Sequence, residues 1–343
     1  MDEIWSSAEG DPPRIMVTGA AGFVGRLLVQ ELSRHLPADG RILACSRTGS
    51  RDGLPSRAEA VAFDMADAAG IEDAVRRTMP THIVHLAGIS TLAEVAAQPD
   101  LAWQVNLFGS LRLAEALARH RPGGHFVFVG SSEVYGRSFQ DGVALDEGAL
   151  LQPTNLYACT KAAADQTLGQ MASDALTVVR VRPFNHIGPG QAERFALSAF
   201  AAQIARIEHG LQPPVIRVGN LESQRDFLDV RDVVDAYRMI VGRAGQLPNG
   251  IVLNLASGVP RRIRDGLEGL LQLADTPIEV AVDERYMRPS DTPLVLGDAG
   301  RARTLLGWEP VHRWTDTLKD ILEHWRHTLS PSRNRAAAAP SLP

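Results

Sequence analysis

Tyr157 and Lys161 stand at i and i+4 in the helix-like stretch YACTKAAADQTLGQM, so their side chains share one face. Of thirty-five basic lysine and arginine residues only two, Lys161 and Lys319, are lysine. Arginine serves elsewhere as the cation, which makes the choice at 161 chemical rather than a matter of surface charge. A free phenol titrates at about 10 and is a poor proton donor or acceptor at neutral pH, and a fixed cation beside it favours the phenolate. A compact ammonium can approach both a phenol and a sugar hydroxyl, which a planar guanidinium does less readily. The spacing therefore predicts a proton-transfer pair. Upstream, the apolar run HFVFV leads into GSSEVYG at 130–136. That order places the hydroxyls of Ser131 and Ser132 and the carboxylate of Glu133 at the carboxyl end of a strand, where sites form in open α/β sheets.

A second constellation lies near the start. TGAAGFVG at 18–25 follows a short apolar run and precedes an amphipathic stretch, with Gly19, Gly22 and Gly25 spaced G-x-x-G-x-x-G. Glycines there permit a tight turn and let backbone approach a pyrophosphate, whose charge rests on the N-terminus of the following helix. The second apolar run ends in Ser46 and Arg47, where an NAD-binding fold usually supplies a carboxylate for the ribose 2′-hydroxyl. Without that carboxylate, NADP is favoured over NAD, although Arg47 also reads as a solvated loop cation. Asp64, after AVAF, is a candidate for the adenine amine.

The later chain carries RPFNHIGPGQ at 182–191, VGNLESQRDFLDVRD at 218–232 and MRPSD at 287–291. Asn185 and backbone amides suit a pyrophosphate, Arg225 and Arg288 suit paired phosphate oxygens, and Asp291 suits ribose hydroxyls. His186, isolated in its loop, reads as a bracing donor rather than a catalyst.

These residues need a scaffold, and the chain alternates accordingly. Apolar runs at 14–18, 41–45, 81–86, 125–129 and 175–181 predict buried strands, and 25–35 and 105–119 carry the helical period. The expected fold class is α/β: a Rossmann-type doubly wound parallel sheet with a smaller C-terminal substrate-binding lobe. The boundaries expected are a tail at 1–13, a dinucleotide-binding domain at 14–182 completed by about 226–257, a substrate lobe from 183–225 and 258–328, and a tail at 329–343. Pro- and Gly-rich stretches at 183–190 and 211–220 read as crossings between the lobes.

With 343 residues, 45% hydrophobic and 22% charged, the chain has apolar surface for a large core and no run long enough to span a membrane. The acidic start lacks the order of a signal peptide, so a cytoplasmic enzyme is expected. Cys45 and Cys159 offer neither a disulfide framework nor metal-ligand spacing. A net charge of −5 argues against a nucleic-acid surface.

TGxxGFxG, HLAG at 85–88, SSEVYG and YxxxK together resemble the extended short-chain dehydrogenase/reductase family over nearly the whole chain. The resemblance implies that Ser131, Tyr157 and Lys161 handle hydride and proton transfer on a nucleotide-sugar with NADPH or NADP. It implies that Asn106, Ser132 and Glu133 support them. It extends the cofactor contacts to Phe23, Val24, Met65, Leu86, Ala87, Gly88 and Pro183, and the substrate contacts to Glu133, Val218 and Asn220. Thr160 replaces the serine common before the lysine, a change expected to be tolerated. The substrate-lobe segments look like those of members that reduce GDP-4-keto-6-deoxy-D-mannose to GDP-D-rhamnose. The alternatives are GDP-mannose 4,6-dehydration, kept open by Glu133, a 4-epimerase or another 4-reductase, and a non-catalytic nicotinamide-binding sensor. By analogy with the family, a homodimer paired through a four-helix interface is expected.

Overall fold

The computed structural model describes residues 11–287 and 292–330. Seven strands, β1 (Arg14–Thr18), β2 (Arg41–Ser46), β3 (Ala58–Ala62), β4 (His82–His85), β5 (Gly124–Val129), β6 (Leu176–Pro183) and β10 (Ile251–Leu255), form one sheet ordered β10-β6-β5-β4-β1-β2-β3. Every pairing in it is parallel. The strands are covered on both faces, so they read as nearly continuous apolar runs; β5, GHFVFV, is buried at every position. Strand order reverses between β1 and β4, and the carboxyl ends there open the crevice in which such folds bind ligands.

Helices α1 (Phe23–His35) and α8 (Val230–Gly242) cover one face. On the other lie α2 (Ala68–Thr78), α5 (Ser110–His120) and α6 (Leu156–Gln170). The short helices α3 (Leu92–Ala97) and α4 (Pro99–Trp103) lead into a π-helical turn, Gln104–Gly109.

The smaller lobe gathers β7 (Asn185–Ile187), β9 (Gln224–Asp229), β11 (Pro260–Arg262) and β13 (Leu294–Val295) into one sheet. A second, two-stranded sheet joins β8 (Val215–Val218) to β12 (Glu279–Val282). Helices α7 (Ala196–Glu208), α9 (Ile263–Leu271) and α11 (Trp314–Leu329) enclose a separate apolar core, while α10 (Gly300–Leu306) packs back on the large sheet.

The ends of the described chain are more ordered than the sequence suggested. Asp11 pairs with Arg121 at 2.9 Å and the Pro13 carbonyl accepts from Arg41 N, so 11–13 lies along the sheet rather than in a tail. Leu329, also expected in a tail, closes α11. The segment 211–220, read as a crossing, contains β8. No helix of the described residues is long and apolar enough to cross a membrane.

Candidate active site

The glycine loop is built by exclusion of side chains. Gly19 has φ +70°, and a Cβ there would lie 3.0 Å from Ala87 N. A Cβ on Gly25 would come within 2.2 Å of Gly19 O, so only glycine lets α1 start this close to the loop. Gly22 caps α1 without a side chain, and the first turn carries no acid, leaving N–H groups directed at the crevice. Thr18 Oγ1 accepts from Ala87 N at 3.1 Å and hydrogen-bonds His85 Nδ1 at 2.7 Å, so Leu86, Ala87 and Gly88 are fixed opposite the glycine loop. This cradle of open backbone fits a dinucleotide pyrophosphate.

At the end of β2, Arg47 is exposed and makes no ion pair among the described residues, while Ser46 Oγ accepts from Gly49 N at 3.0 Å. Asp64 is exposed, with Oδ1 capping Ala66 N at 2.8 Å. The buried neighbour Met65 supports the π-helical turn from behind, because a Cβ on Gly109 would lie 2.5 Å from its carbonyl. That turn puts Asn106 in the interior. Its Oδ1 accepts from Ile89 N at 2.8 Å and its Nδ2 donates to Ile89 O and to Thr160 Oγ1, each at 3.0 Å. Thr160 donates in turn to Tyr157 O at 2.8 Å, so its hydroxyl takes part in seating the first turn of α6. His85 Nε2 and Ser110 Oγ meet at 2.8 Å, and Ser110 donates to Asn106 O at 2.7 Å. The chain Thr18–His85–Ser110–Asn106 thus links the glycine loop to α6, and sequence reading missed both His85 and Ser110 as members.

Asn155 caps α6 by accepting from Ala158 N at 2.8 Å. Half-buried Tyr157 is hydrogen-bonded to the side chain of Ser131, which itself accepts from Glu133 N at 3.2 Å. Burial pushes the phenol up to about 12, against the hydrogen bond from Ser131, and the charge of Glu133 adds to the rise. Lys161 donates from Nζ to Val129 O at 2.9 Å and lies 5.0 Å from the centre of the Phe128 ring, and burial pushes its ammonium down to about 8. The expectation that Lys161 shifts Tyr157 toward phenolate is therefore corrected: desolvation dominates at both groups. The ammonium still borders the cradle, since a Cβ on Gly88 would lie 3.5 Å from Nζ and 3.0 Å from Asn106 Oδ1.

Exposed Glu133 is 3.4 Å from Asn155 Nδ2, and its charge acts on both Tyr157 and Arg225. The Tyr157 phenol and the Arg225 guanidinium of the smaller lobe therefore both lie within reach of the Glu133 charge. Arg225 is anchored to Gln224 O at 2.7 Å and Thr292 O at 3.1 Å, and burial lowers its pKa. Asn185 is exposed at the start of β7, directly after buried Pro183 and Phe184. His186 stacks on Phe23 of the glycine loop, with ring centres 6.3 Å apart, and its Nδ1 is 3.1 Å from Phe184 O. Asn220 caps its own turn by accepting from Glu222 N at 2.9 Å. Val218 is only 1% exposed, its side chain in the small-lobe core and its carbonyl accepting from Asp283 N at 2.9 Å. Arg288 and Asp291 fall outside the described residues, and Ser132 is buried at the start of the turn that follows Ser131.

A seven-stranded doubly wound sheet, a glycine loop at its switch point and a Ser/Tyr/Lys set on the adjoining turn and helix define an extended short-chain dehydrogenase/reductase. Residues 16–321 match the GDP-mannose 4,6 dehydratase family, and the chain belongs to it. The GDP-6-deoxy-D-mannose reductase of Pseudomonas aeruginosa is 33% identical over 91% of this chain and 97% of its own. The structure of RMD from the same organism, complexed with NADPH, superposes with a TM-score of 0.80 at 31% identity, covering 92% of this chain and all of that one. The GDP-mannose 4,6-dehydratase of Sinorhizobium fredii is 29% identical over 71% of this chain and 74% of its own.

Proposed function

We propose that the protein reduces the C4 ketone of GDP-4-keto-6-deoxy-D-mannose to give GDP-D-rhamnose, with NADPH as the hydride source. The observation that carries this reading is geometric: Tyr157 is hydrogen-bonded to the side chain of Ser131, and Lys161, one turn further along α6, borders the glycine-loop cradle, with a Cβ on Gly88 falling 3.5 Å from its Nζ. Carbonyl reduction needs a proton donor where the alkoxide develops, and a phenol placed there serves because the alkoxide is a stronger base than the phenolate left behind. Ser131 supplies a second donor to the same oxygen, and such preorganised donors act most strongly as charge forms. Lys161 keeps a positive charge at the border of the cradle below about pH 8. Gly19, Gly22, Phe23, Val24, Gly25 and Gly88 would hold the cofactor along the open backbone, Ser46 and Arg47 its 2′-phosphate, and Asp64 its adenine. On the substrate side, Asn185, Arg225, Arg288 and Asp291 would bind the GDP moiety, with Val218 and Asn220 closing the pocket.

Dehydration of GDP-mannose is the second reading, favoured by Glu133, a carboxylate beside Tyr157 suited to removing a proton next to a ketone. It begins with oxidation at C4, for which Tyr157 would act as base, and the reductase reading is preferred because the GDP-6-deoxy-D-mannose reductase of Pseudomonas aeruginosa is similar over more of this chain than the dehydratase is. Product analysis separates the two. NMR of the product formed from the keto-sugar and NADPH should show the C4 configuration of GDP-D-rhamnose; the epimeric alcohol, or no reduction at all, would contradict the assignment. Assembly as a homodimer is the remaining part of the proposal, supported by Leu101 and Phe108, 36% and 44% exposed on the segment leading into α5.

A further inference from the structure

Beneath the catalytic residues lies a buried polar cluster that the proton-transfer chemistry does not use. Asp165 follows Tyr157 and Lys161 at the next i+4 step of α6 and is fully buried. Its carboxylate receives Arg182 through two parallel bonds, Nε at 3.0 Å and Nη2 at 2.8 Å, and Arg180 Nη1 at 3.0 Å. The remaining branch of Arg182 donates to the hydroxyl of Tyr135 at 3.0 Å, and that hydroxyl donates to Asn254 Oδ1 at 2.7 Å. Tyr135 lies four residues after Ser131 in the same turn, a 3-10 segment Ser132–Asp141. The same place joins the strands: Gly130 N donates to Val181 O at 2.7 Å, and a Cβ on Gly130 would lie 3.7 Å from Asp165 Oδ2.

We infer that Arg182, held between Asp165 of α6 and Tyr135 of the serine turn, is a positioning clamp that sets the spacing of Tyr157 and Ser131. The two reacting side chains come from separate elements: backbone bonds from Gln152 N to Val134 O at 3.1 Å and from Arg137 N to Gln152 O at 3.0 Å tie the turn to the segment before α6, while the Arg182 cluster ties it to the third turn of the helix itself. A bidentate guanidinium–carboxylate pair fixes both distance and orientation, because its two parallel bonds match only in one plane. Asn254 extends the clamp to β10 by donating to Leu145 O at 3.0 Å, and its backbone N–H donates to Glu147 Oε1 at 2.8 Å. A shift of α6 relative to the turn would break several buried bonds at once. The inference rests on Ser131 and Tyr157 acting together on the substrate oxygen.

The mild probe is Tyr135→Phe, which keeps the ring and adds no charge; Asp165→Asn is the stronger one. With NADPH and the keto-sugar, Tyr135→Phe is expected to lower kcat on the order of 10-fold to 100-fold, as small misplacements of reacting groups do. KM should stay within about twofold, because ground-state contacts are untouched. In a Tyr157→Phe background the same change should cost almost nothing further, since the clamp acts through that phenol. An activity-independent readout is the near-ultraviolet titration of Tyr157, taken as the difference between each protein and its Tyr157→Phe derivative. A loosened clamp admits water and should bring the phenol's midpoint down. An unmoved midpoint, an unchanged kcat, or an equal loss in the Tyr157→Phe background would overturn the clamp. If the wild type leaves the keto-sugar untouched, the substrate reading fails, and the titration still decides the clamp.

Discussion

Tyr157 and Lys161 both lose hydration, but with opposite consequences. Burial favours the neutral phenol and also the neutral amine, so the acid is secure at neutral pH while the cation titrates near 8. Activity in the reductive direction should hold up to about pH 8 and fall above it as Lys161 loses its charge. This loss is separable from unfolding. The lysine's folded pKa lies below its ordinary 10.5, so the unfolded chain binds more protons between the two values and this group's contribution to stability improves as pH rises there. A pH profile of kcat/KM alongside thermal melts checks both; activity flat to pH 10 would remove the charged lysine from the mechanism. Tyr157→Phe should cut kcat by about 10²–10⁴-fold, the usual worth of a positioned proton donor, with NADPH affinity retained. Arg225→Ala should raise KM more than it lowers kcat, since its contact is made equally before and during reaction. At this scale the sequence was informative about placement: the helical spacing put Tyr157 and Lys161 on one helix, and both lie in α6. It was silent on the phenol's shift, which depends on what surrounds the ring rather than on the neighbour at i+4.

Most strands of the large sheet were legible because burial on both faces leaves almost continuous apolar runs, and their predicted edges lie close to the observed ones; β3, at the sheet edge and fully buried only at Ala58 and Val61, was not. The π-helical turn was not. It differs from α-helix by one bulged residue, and the reason for it, Gly109 against the Met65 carbonyl with Asn106 bonded to Ile89, is tertiary. The short strands β7, β11 and β13 have two or three residues each and no period to read. The glycine loop, by contrast, follows directly from the spacing, and its tolerance can be stated element by element. Gly25→Ala should abolish tight NADPH binding, because the new methyl meets Gly19 O within 2.2 Å and must push α1 off the loop. Gly53→Ala, where φ is +70° but no atom lies within 4 Å, should leave cofactor affinity unchanged while costing some stability. Fluorescence titration with NADPH distinguishes them; equal affinities for the two variants would contradict the role given to the loop.

At the scale of the molecule, two lobes with separate cores meet over one crevice, and Glu133 is the group that connects them electrostatically, acting on Tyr157 from one side and on Arg225 from the other. The strand–helix alternation of the first half pointed to the large sheet, but the Pro/Gly-rich segments were a poorer guide to the rest, since 211–220 contains β8. That Arg225 and Tyr157 both lie within reach of Glu133 could not be read, because it depends on how β9 crosses toward the serine turn. The central claim is that this crevice reduces a keto-sugar rather than dehydrating a sugar, and the cofactor balance tests it directly. With GDP-4-keto-6-deoxy-D-mannose the account predicts one NADPH oxidised per sugar consumed, no reaction with GDP-mannose, and only a small loss on Glu133→Gln. Conversion of GDP-mannose to a 4-keto product without net NADPH consumption, abolished by Glu133→Gln, would contradict it.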